Sequence, residues 1–530
     1  MIRRGLVGLA IALTLSGCGG DGGERTSSRG GVHTLVIGSS NQPDRINPLV
    51  STSAIATDME NLVFMRLVDW GPPPDLALEP RLAMSWEIAD DRRSLLMHLR
   101  RDVFWTDGEP TTAEDVRFTY DRALDPAVPF PNRAAIKGIE RVEIVDPYTV
   151  RFVYREPQWE PLLPAQDPAI MPKHLIESIP ADQMMESGFG RNPVGNGPWI
   201  FREWISEERL VFDANENYCD GRPGFDRLVI RVIPEDTALR TELLTGGVHV
   251  YDRHPNKFYR QDSKDPNLQL FRASDRGYVY LAWNGRNPLF QDPRVRKALT
   301  LATDRQAIID AFRDGFGKVA TCPTFAEDPA YDPSIVPFPF DPVAASALLD
   351  EAGWEKRDVD GVRIRDGLRF EFTFMLIANN TISEEIATML EQEYRKLGIA
   401  TKVEFFEWTV YVGRLNAKDY ESTILARRGD FIYDAESVFH SRSIDEAYND
   451  TSFGTAVTDS LIDLAKNTPD RTVRNGIWHE FFRELHALQP ITPLYVSETS
   501  FPVRKDVVAD ARIDIRGPYV RVHEWHPVTR

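Results

Sequence analysis

Charged residues crowd the stretch 427–434, where they could hold the charged groups of a ligand. Arg427 and Arg428 each present the forked guanidinium that matches a carboxylate. Because neighbouring side chains on a strand point to opposite faces, we expect at most one of the two arginines to contact a ligand. The alternative is that either arginine simply pairs with Asp430 or Asp434 within the same segment.

Aromatic side chains could form the walls of a cleft around such a ligand. The candidates are Phe406, Trp408, Tyr411 and Trp283. Large aromatic residues are more often found in hydrophobic cores than in binding sites. The sequence therefore leaves both interpretations open for each residue.

No residue pattern in the sequence points to catalysis or to a metal centre. The segment 523–526, His-Glu-Trp-His, lacks the i, i+4 histidine spacing of a zinc-protease helix. His249 and His254 could bind a metal, but isolated histidines are more often ordinary surface or core residues. Neither a Ser-His-Asp arrangement nor a glycine-rich phosphate loop is legible. We therefore predict a protein that is not an enzyme and needs no cofactor or metal.

Short strands and helices alternate along the chain and predict the α/β class. Residues 94–99 read as a strand, and the helix after them is capped by either Thr111 or Thr112. Asp292 and Asp341, each followed by proline, have the pattern of helix starts. Further predicted elements are the strands 34–37, 142–145 and 149–154 and the helices that end at Gly353 and Gly398.

The amino terminus has the composition of an export signal. Arg3 and Arg4 precede the apolar run 6–15, which is far too short as a helix to span a ~30 Å hydrocarbon core. A charged start, a short apolar segment and then small residues are typical of a secretory signal peptide, predicted here as residues 1–17. Residues 18–32 are rich in glycine and predict a flexible tether.

The charge of the chain excludes two classes of partner. The formal net charge is −18, and removal of residues 1–17, which carry Arg3 and Arg4, lowers it by two to −20. Nucleic acids and anionic membrane surfaces attract basic proteins, so neither is an expected partner. A hydrophobic content of 42% with 11 tryptophans predicts large cores and more than one domain.

An ordered motif occupies residues 83–120. It consists of an alanine, a polar-acidic turn, an apolar strand and a basic-acidic step, at Ala83, Asp91, Ser94, Leu95, Met97, Leu99, Arg100 and Asp102. This order resembles the signature of the family 5 extracellular solute-binding proteins, the dipeptide- and oligopeptide-binding receptors of ABC importers. The resemblance continues through the segments 171–175, 192–199, 215–223, 243–250 and 292–305. Cys219 and His249 depart from it, because a tryptophan and an acidic residue are usual there.

The resemblance implies a periplasmic-binding-protein-like fold, in which two ligand-gripping lobes are joined by a hinge that the chain crosses twice, plus an extra domain. Domain I would comprise residues 33–76, 193–283 and 500–530, domain II residues 77–192, and domain III residues 284–499. The crossings would lie near Asn284 and Thr499, and we include Asn284 among the ligand-contact candidates. Cys219 and Cys322 would fall in different lobes, where a bridge would lock the hinge, so we expect no disulfide between them.

The resemblance also implies a function. The protein would be a monomeric receptor that captures short peptides and delivers them to an ABC permease and its ATPase subunits. Residues 15–18, Leu-Ser-Gly-Cys, resemble a lipobox, which implies that Cys18 is lipidated and holds the exported protein in the cell envelope, on the periplasmic side or outer face of the cytoplasmic membrane. The alternatives are a receptor for an oligosaccharide or other organic solute, and an envelope signalling or interaction protein that feeds no transporter.

Asp430 is the ligand-binding residue that the resemblance singles out. Peptide receptors of the family hold the ligand amine with an aspartate from a segment similar to Ala-Asp-Tyr-x-Asp-Pro. Asp430 matches that aspartate if one residue is inserted before Asp434, although Ala435 stands where the proline is usual. A buried amine needs such a partner because an unpaired charge in a closed cleft is costly. The alternative is that Asp430 caps the helix expected around Ser437.

Overall fold

The computed structural model describes residues 32–529. The predicted signal peptide 1–17, the lipidation site Cys18 and all of the tether before residue 32 lie outside the described residues. The strands are β1 (Thr34–Ser39), β2 (Val68–Trp70), β3 (Leu78–Pro80), β4 (Ala83–Ile88), β5 (Ser94–Leu99), β6 (Ile139–Asp146), β7 (Thr149–Tyr154), β8 (Trp199–Ile205), β9 (Arg209–Ala214), β10 (Arg227–Val232), β11 (Val250–Tyr251), β12 (Leu268–Trp283), β13 (Gly317–Val319), β14 (Lys356–Arg357), β15 (Arg363–Arg365), β16 (Leu368–Arg369), β17 (Glu371–Ile377), β18 (Ala400–Phe406), β19 (Ser422–Arg428) and β20 (Ile491–Arg504).

Helices are interleaved with these strands throughout residues 32–529. They are α1 (Ala54–Val63), α2 (Ala113–Leu124), α3 (Arg133–Ile136), α4 (Leu163–Gln166), α5 (Lys173–Ile176), α6 (Asp236–Thr245), α7 (Asn256–Asp262), α8 (Pro293–Leu301), α9 (Arg305–Phe312), α10 (Pro342–Glu351), α11 (Thr381–Lys396), α12 (Trp408–Asn416), α13 (Glu436–Phe439), α14 (Ala456–Lys466) and α15 (Arg471–Leu488). None of the helices in the described range is long and apolar enough to cross a bilayer. The mixture confirms the α/β class.

Local sequence signals account for the ends of several helices. Thr112, not Thr111, caps α2: its hydroxyl accepts from the backbone of Glu114, and Asp115 bonds back to the Thr112 amide. Asp292 and Asp341 cap α8 and α10 as predicted, each with proline at the first helical position. Gly353 and Gly398 follow α10 and α11 with positive φ angles of 87° and 78°, a backbone conformation that glycine adopts without strain.

One large sheet runs through the molecule in the order β18-β17-β19-β12-β20-β11-β1-β10-β9-β8, and β13 adds to β20. We call the part around β1, β8, β9, β10 and β11 the β1 lobe, and the part around β13, β17, β18 and β19 the β19 lobe. A separate four-stranded sheet, β4-β5-β7-β6, shares its hydrophobic core with the β1 lobe. Two further clusters, on either side of the sheet, form the core of the β19 lobe.

Two long strands, β12 and β20, connect the lobes. They pair antiparallel along most of their length, from Leu268 opposite Arg504 to Ala282 opposite Ile491. The pairing register shifts between Ser274 and Tyr278 and again between Val279 and Tyr280, and β12 pairs with β19 only from Gly277 onward. In the described sheet, β12 and β20 are the only strands that both lobes share. A bend between the lobes therefore requires the least energy at the irregularity in these two strands.

Candidate functional site

The sheet topology directs the carboxyl ends of parallel strands in the β19 lobe and in the β1 lobe toward each other. β17 is parallel to both β18 and β19, so the carboxyl ends of all three meet at one edge of the β19 lobe. In the β1 lobe, β1 is parallel to β11, and β11 is antiparallel to β20. Because β20 enters the β1 lobe from the β19 lobe, the carboxyl ends of β1 and β11 point back toward the β19 lobe. We call the space between these edges the interlobe gap.

Charged side chains from both lobes lie at this gap. Arg253 lies two residues after the end of β11, and Asp58 lies on α1 of the same lobe. From the other side, Arg428 is the last residue of β19, and Asp430 follows it by two positions. Arg276 lies at the irregularity of β12, where its carbonyl accepts a hydrogen bond from the Gly429 amide at 2.7 Å.

These five side chains, Asp58, Arg253, Arg276, Arg428 and Asp430, share an unusual property. Within residues 32–529, none of them makes a side-chain hydrogen bond or an ion pair with another residue. They are nevertheless close enough to influence one another's charge. Charged groups gathered in a cleft without protein partners are the candidate ligand-contact residues of this protein.

The ionisation of Asp58 and Arg276 reflects this environment. Burial raises the pKa of Asp58 to about 7, and the charges of Arg253, Arg276 and Arg428 only partly oppose that shift. Burial, reinforced by the like charge of Arg428, lowers the pKa of Arg276 to about 10, against the influence of Asp430 and Asp58. Asp58 thus interacts electrostatically with arginines of both lobes.

Asp430 lies in a well-supported turn. The next residue, Phe431, packs edge-on against Trp70 with ring centroids 5.3 Å apart, and against Phe325 at 6.0 Å. The Arg276 guanidinium lies 4.6 Å from the centroid of the Phe431 ring. The carboxylate of Asp430 itself is exposed.

The helix near Ser437 does not use Asp430 as its cap. α13 begins at Glu436, and the Glu436 amide donates to the carboxylate of Asp434 at 2.9 Å. The capping interpretation of Asp430 is therefore wrong, because the first amide of α13 bonds to Asp434 and Asp430 accepts no hydrogen bond from the helix. The amine-binding interpretation of Asp430 stays a prediction.

Arg427 and Arg428 point in opposite directions, as the strand geometry predicts. Arg427 donates to the carboxylate of Asp450 at 2.5 Å and to the carbonyl of Tyr448 at 2.8 Å. The hydroxyl of Tyr280 donates to the same Asp450 carboxylate at 2.7 Å. Since its charge is balanced inside the β19 lobe, we leave Arg427 out of the proposed ligand site and keep Arg428.

The aromatic candidates also divide into residues that lie inside the β19 lobe and one residue that is exposed at its edge. Trp408 begins α12 directly after β18, at the carboxyl edge of the β19 lobe, and is 62% exposed. Tyr411 is buried behind it, with its ring 6.4 Å from that of Trp408 and its hydroxyl 2.7 Å from the Thr423 hydroxyl. Phe406 is half-buried beneath the guanidinium of Arg414. Of these candidates, Trp408 alone has the exposure and position of a cleft wall.

Trp283 and Asn284 are enclosed in the β19 lobe. The Trp283 indole donates to the Thr492 hydroxyl at 3.0 Å. The Asn284 amide donates to the carbonyls of Lys418 and Tyr420 at 2.9 and 2.6 Å. Both side chains serve the packing of the lobe, and we leave them out of the proposed site.

The histidines are engaged inside the β1 lobe. The Val36 amide donates to Nδ1 of His249 at 3.0 Å. His254 is buried between the Ser500 hydroxyl, 2.7 Å from Nδ1, and the Asp262 carboxylate, 2.9 Å from Nε2. No sequence motif reveals this Ser-His-Asp arrangement. Because Ser500 is fully buried, its hydroxyl cannot reach a substrate. Within residues 32–529 no three ligand-type side chains are grouped around a metal position.

Sequence reasoning missed Asp58, Arg253 and Arg276. Arg253 and Arg276 each directly follow an aspartate, and Asp58 lies two positions before Glu60, so nothing in the local sequence distinguishes the three from ordinary surface charges. The order of strands in the sheet brings the three to the gap, and that order is not legible in a single sequence.

The described structure also contains contacts between the four-stranded sheet and the β19 lobe. Glu160, which follows β7, accepts from Arg474 of α15 at 3.0 Å, and both side chains are largely buried. The ring of Trp159 lies beneath the Arg474 guanidinium at 5.4 Å and the Lys466 ammonium at 5.6 Å. We call this group of four residues the interlobe clasp.

Comparison with known proteins agrees with this architecture. Residues 77–449 match the family model of the bacterial extracellular solute-binding proteins, family 5. The oligopeptide-binding protein AppA of Bacillus subtilis is 30% identical over 499 residues, which cover 92% of this chain and 91% of AppA. The dipeptide-binding protein of Escherichia coli is 26% identical over 508 residues, covering 89% and 91% of the two chains.

Solved structures of the family superpose over almost the whole chain. AppA in complex with a nonapeptide aligns with a TM-score of 0.70 at 28% identity, covering 94% of this chain and 99% of AppA. NikZ of Campylobacter jejuni in complex with Ni(L-His) aligns with a TM-score of 0.69 at 27% identity, covering 93% and 99%. The fold is thus the predicted periplasmic-binding-protein type, whose members bind solutes and are not catalysts. The chain belongs to the bacterial extracellular solute-binding proteins of family 5.

Proposed function

We propose that the protein is the substrate-binding component of an ABC import system and that it captures short peptides in the interlobe gap. The observation that carries this proposal is the group of charged side chains at the gap without protein partners. Asp430 offers a carboxylate for the ligand amine, and Arg428 offers a forked donor for a carboxylate. AppA and the Escherichia coli relative, whose names state that they bind oligopeptides and dipeptides, support the same ligand class.

Hinge closure is the proposed means of capture. From the sequence, domain I would comprise residues 33–76, 193–283 and 500–530, domain II residues 77–192, and domain III residues 284–499. The register shift of β12 at Ser274–Tyr278 and the packing of Trp283 in the β19 lobe support moving the first crossing to that shift, so that the end of β12 belongs to domain III. Two crossings let the lobes rotate without unfolding either core. Trp408 would then form an apolar wall of the closed cleft.

Identification of the bound solute tests the ligand class. The protein is purified from its native host under non-denaturing conditions, and small molecules released on unfolding are identified by mass spectrometry. Short peptides are the expected result. Oligosaccharides or another organic solute would replace the proposal with that class of receptor. A preparation without any bound solute would favour an envelope interaction protein.

Delivery to a transporter is tested in cells. Deletion of the partner permease or its ATPase subunits is expected to abolish uptake of the solute that this receptor binds. Uptake that continues through the receptor without the permease would contradict the transport role.

We propose further that the receptor acts as a monomer tethered to the membrane through lipidated Cys18. Cys18→Ser is expected to move the protein from the membrane fraction to the soluble envelope fraction, because the acyl chains supply the membrane affinity. Unchanged membrane attachment of the variant would contradict the lipoprotein assignment.

A further inference from the structure

Three guanidinium groups approach the interlobe gap from three different elements. Arg253 follows β11, Arg276 lies in β12, and Arg428 ends β19. The chain as a whole is acidic, with a net charge of −18, and many arginines in the described residues are paired with carboxylates. Three arginines in one cleft that form no ion pair within residues 32–529 are therefore an exception to that pattern.

The carboxylates of Asp58, Asp252, Asp275 and Asp430 lie near these arginines, but within residues 32–529 none of the four forms an ion pair with them. Asp430 is exposed and makes no ion pair within residues 32–529. Asp58 is half-buried and equally without a partner, and because its pKa is about 7, about half of the Asp58 carboxyl groups are protonated near neutral pH. In the empty receptor, the guanidinium groups thus have no hydrogen-bonded carboxylate within residues 32–529. A ligand carboxylate would supply that partner.

The position of these arginines indicates which part of a peptide they would meet. Asp430, the proposed partner of the ligand amine, is two residues from Arg428, and the Arg276 carbonyl is bonded to the Gly429 amide beside it. The terminal carboxylate of an extended tripeptide lies roughly 10 Å from its amine, at about 3.3–3.6 Å per residue. Arg276 and Arg428 therefore lie nearer to the first side chains of such a peptide than to its carboxyl end.

We propose that this receptor prefers peptides with an acidic side chain at or next to the amino terminus, and that Arg276 and Arg428 bind that side chain. The inference rests on the proposed capture of peptides and adds the class of peptide. Arginine suits this task because its planar fork binds a carboxylate through two hydrogen bonds. Arg253, from the opposite lobe, would complete the site when the gap closes.

A matched peptide series tests the preference on the unaltered mature protein. Affinities for Glu-Ala-Ala, Gln-Ala-Ala, Ala-Ala-Ala and Ala-Ala-Glu are measured by isothermal titration calorimetry. We expect Glu-Ala-Ala to bind about tenfold or more tightly than Gln-Ala-Ala, because the two differ only in the charge that the arginines would meet. Ala-Ala-Glu is expected to resemble Ala-Ala-Ala.

Two variants connect the preference to the proposed residues. Arg428→Gln and Arg276→Gln are each expected to reduce the ratio between Glu-Ala-Ala and Gln-Ala-Ala to near one. Arg260→Gln is the matched control, since Arg260 is an exposed arginine on α7 of the β1 lobe. It is expected to leave the ratio unchanged. Thermal unfolding of each variant verifies that it is folded.

The outcomes separate this inference from the proposed function. Equal affinity for Glu-Ala-Ala and Gln-Ala-Ala would overturn the acidic preference and leave peptide capture standing. If Glu-Ala-Ala and Ala-Ala-Glu both bind more tightly than Ala-Ala-Ala by the same factor, the assignment of the acidic preference to the amino-terminal end is overturned. Binding of none of the four peptides would overturn both proposals. A preference that survives in both arginine variants would remove Arg276 and Arg428 from the site.

Discussion

Arg427 and Arg428 are neighbours in the chain, and the pleat of β19 directs them to different environments. Arg427 is paired with Asp450, which also accepts from Tyr280, whereas Arg428 has no partner among the described residues. We expect Arg427→Gln to lower the free energy of unfolding by about 3 kcal/mol, because it leaves a buried carboxylate without its counter-charge. Denaturant unfolding of the ligand-free protein measures this effect.

Arg428→Gln is the control for that measurement. Loss of the Arg428 guanidinium is expected to change the free energy of unfolding by less than about 0.5 kcal/mol, as for other exposed side chains without partners. Equal destabilisation by both substitutions would contradict the assignment of one arginine to the lobe and the other to the gap.

Asp430 is expected to matter for binding and not for stability. Asp430→Asn should weaken peptide binding by about 2–5 kcal/mol, the usual cost of truncating one partner of a buried charge pair. The melting temperature of the free protein should barely move, because Asp430 caps no helix. Calorimetry with a free peptide and its N-acetylated form measures the first effect, and the acetylated form is expected to bind the native receptor poorly.

Asp434→Asn provides the opposite pattern. Asp434 accepts from the Glu436 amide at the start of α13 and pairs with Lys466 at 3.1 Å, so its loss is expected to lower stability by about 1 kcal/mol with little change in affinity. If free and acetylated peptides bind the native receptor equally well, Asp430 does not bind the ligand amine.

At the scale of elements, the interlobe clasp joins α14 and α15 to the four-stranded sheet. Glu160→Gln removes the charge that binds Arg474 and leaves Trp159 in place. We expect the dissociation rate constant of a bound peptide to rise about tenfold or more, because the largely buried Arg474 guanidinium loses its counter-charge, while association changes little. Stopped-flow fluorescence measures both rates.

Asp419→Asn is the matched control for the clasp. Asp419 pairs with Arg414 at 2.9 Å, and both residues belong to the β19 lobe. Its loss is expected to leave both rate constants unchanged. A rise in dissociation for Asp419→Asn equal to that for Glu160→Gln would show that the clasp does not hold the lobes together.

At the scale of the whole molecule, buried histidines make stability depend on pH. Burial lowers the pKa of His249 and of His523 to about 4, below the ordinary value of 6.5. In the unfolded chain both rings gain a proton near pH 6.5, whereas in the folded protein they remain neutral until about pH 4. Their stabilising contribution is therefore complete above pH 6.5 and is lost as the pH falls toward 4.

We expect His249→Asn to reduce the loss of stability that occurs as the pH falls below 6.5. An asparagine oxygen can accept the bond that the Val36 amide donates to Nδ1 of His249, but the amide group does not titrate. Melting temperatures between pH 7 and pH 4 measure the effect, with the exposed His33→Asn as the control. Identical pH profiles for His249→Asn and the native protein would contradict the assignment.

The carboxyl groups of Asp58 and Glu60 make stability depend on pH in the opposite direction. Burial raises the pKa of Asp58 and of Glu60 to about 7. These groups favour the folded state at low pH, and that contribution is lost as the pH rises through 7. Because the histidines and the carboxyl groups act in opposite directions, the pH of maximal stability reports the balance between them.

The sequence by itself determined what depends on local backbone chemistry and on an ordered motif. The starts of α8 and α10 follow from Asp292 and Asp341 before proline, since a side-chain oxygen next to free amides needs no distant partner. Family membership was equally legible, because the motif at residues 83–120 keeps many residue types in one order. The same reasoning could name Asp430 and Arg428 but could not establish their surroundings.

Only the tertiary structure decided which charges stay unpaired. Arg427 finds its partner in Asp450, which lies outside the charged segment that sequence reasoning considered. Asp58, Arg253 and Arg276 come from three separate segments and meet at the gap because β1, β11, β12 and β19 take fixed places in one sheet. Electrostatic interaction depends on distance in space, and the order of strands sets that distance independently of separation along the chain.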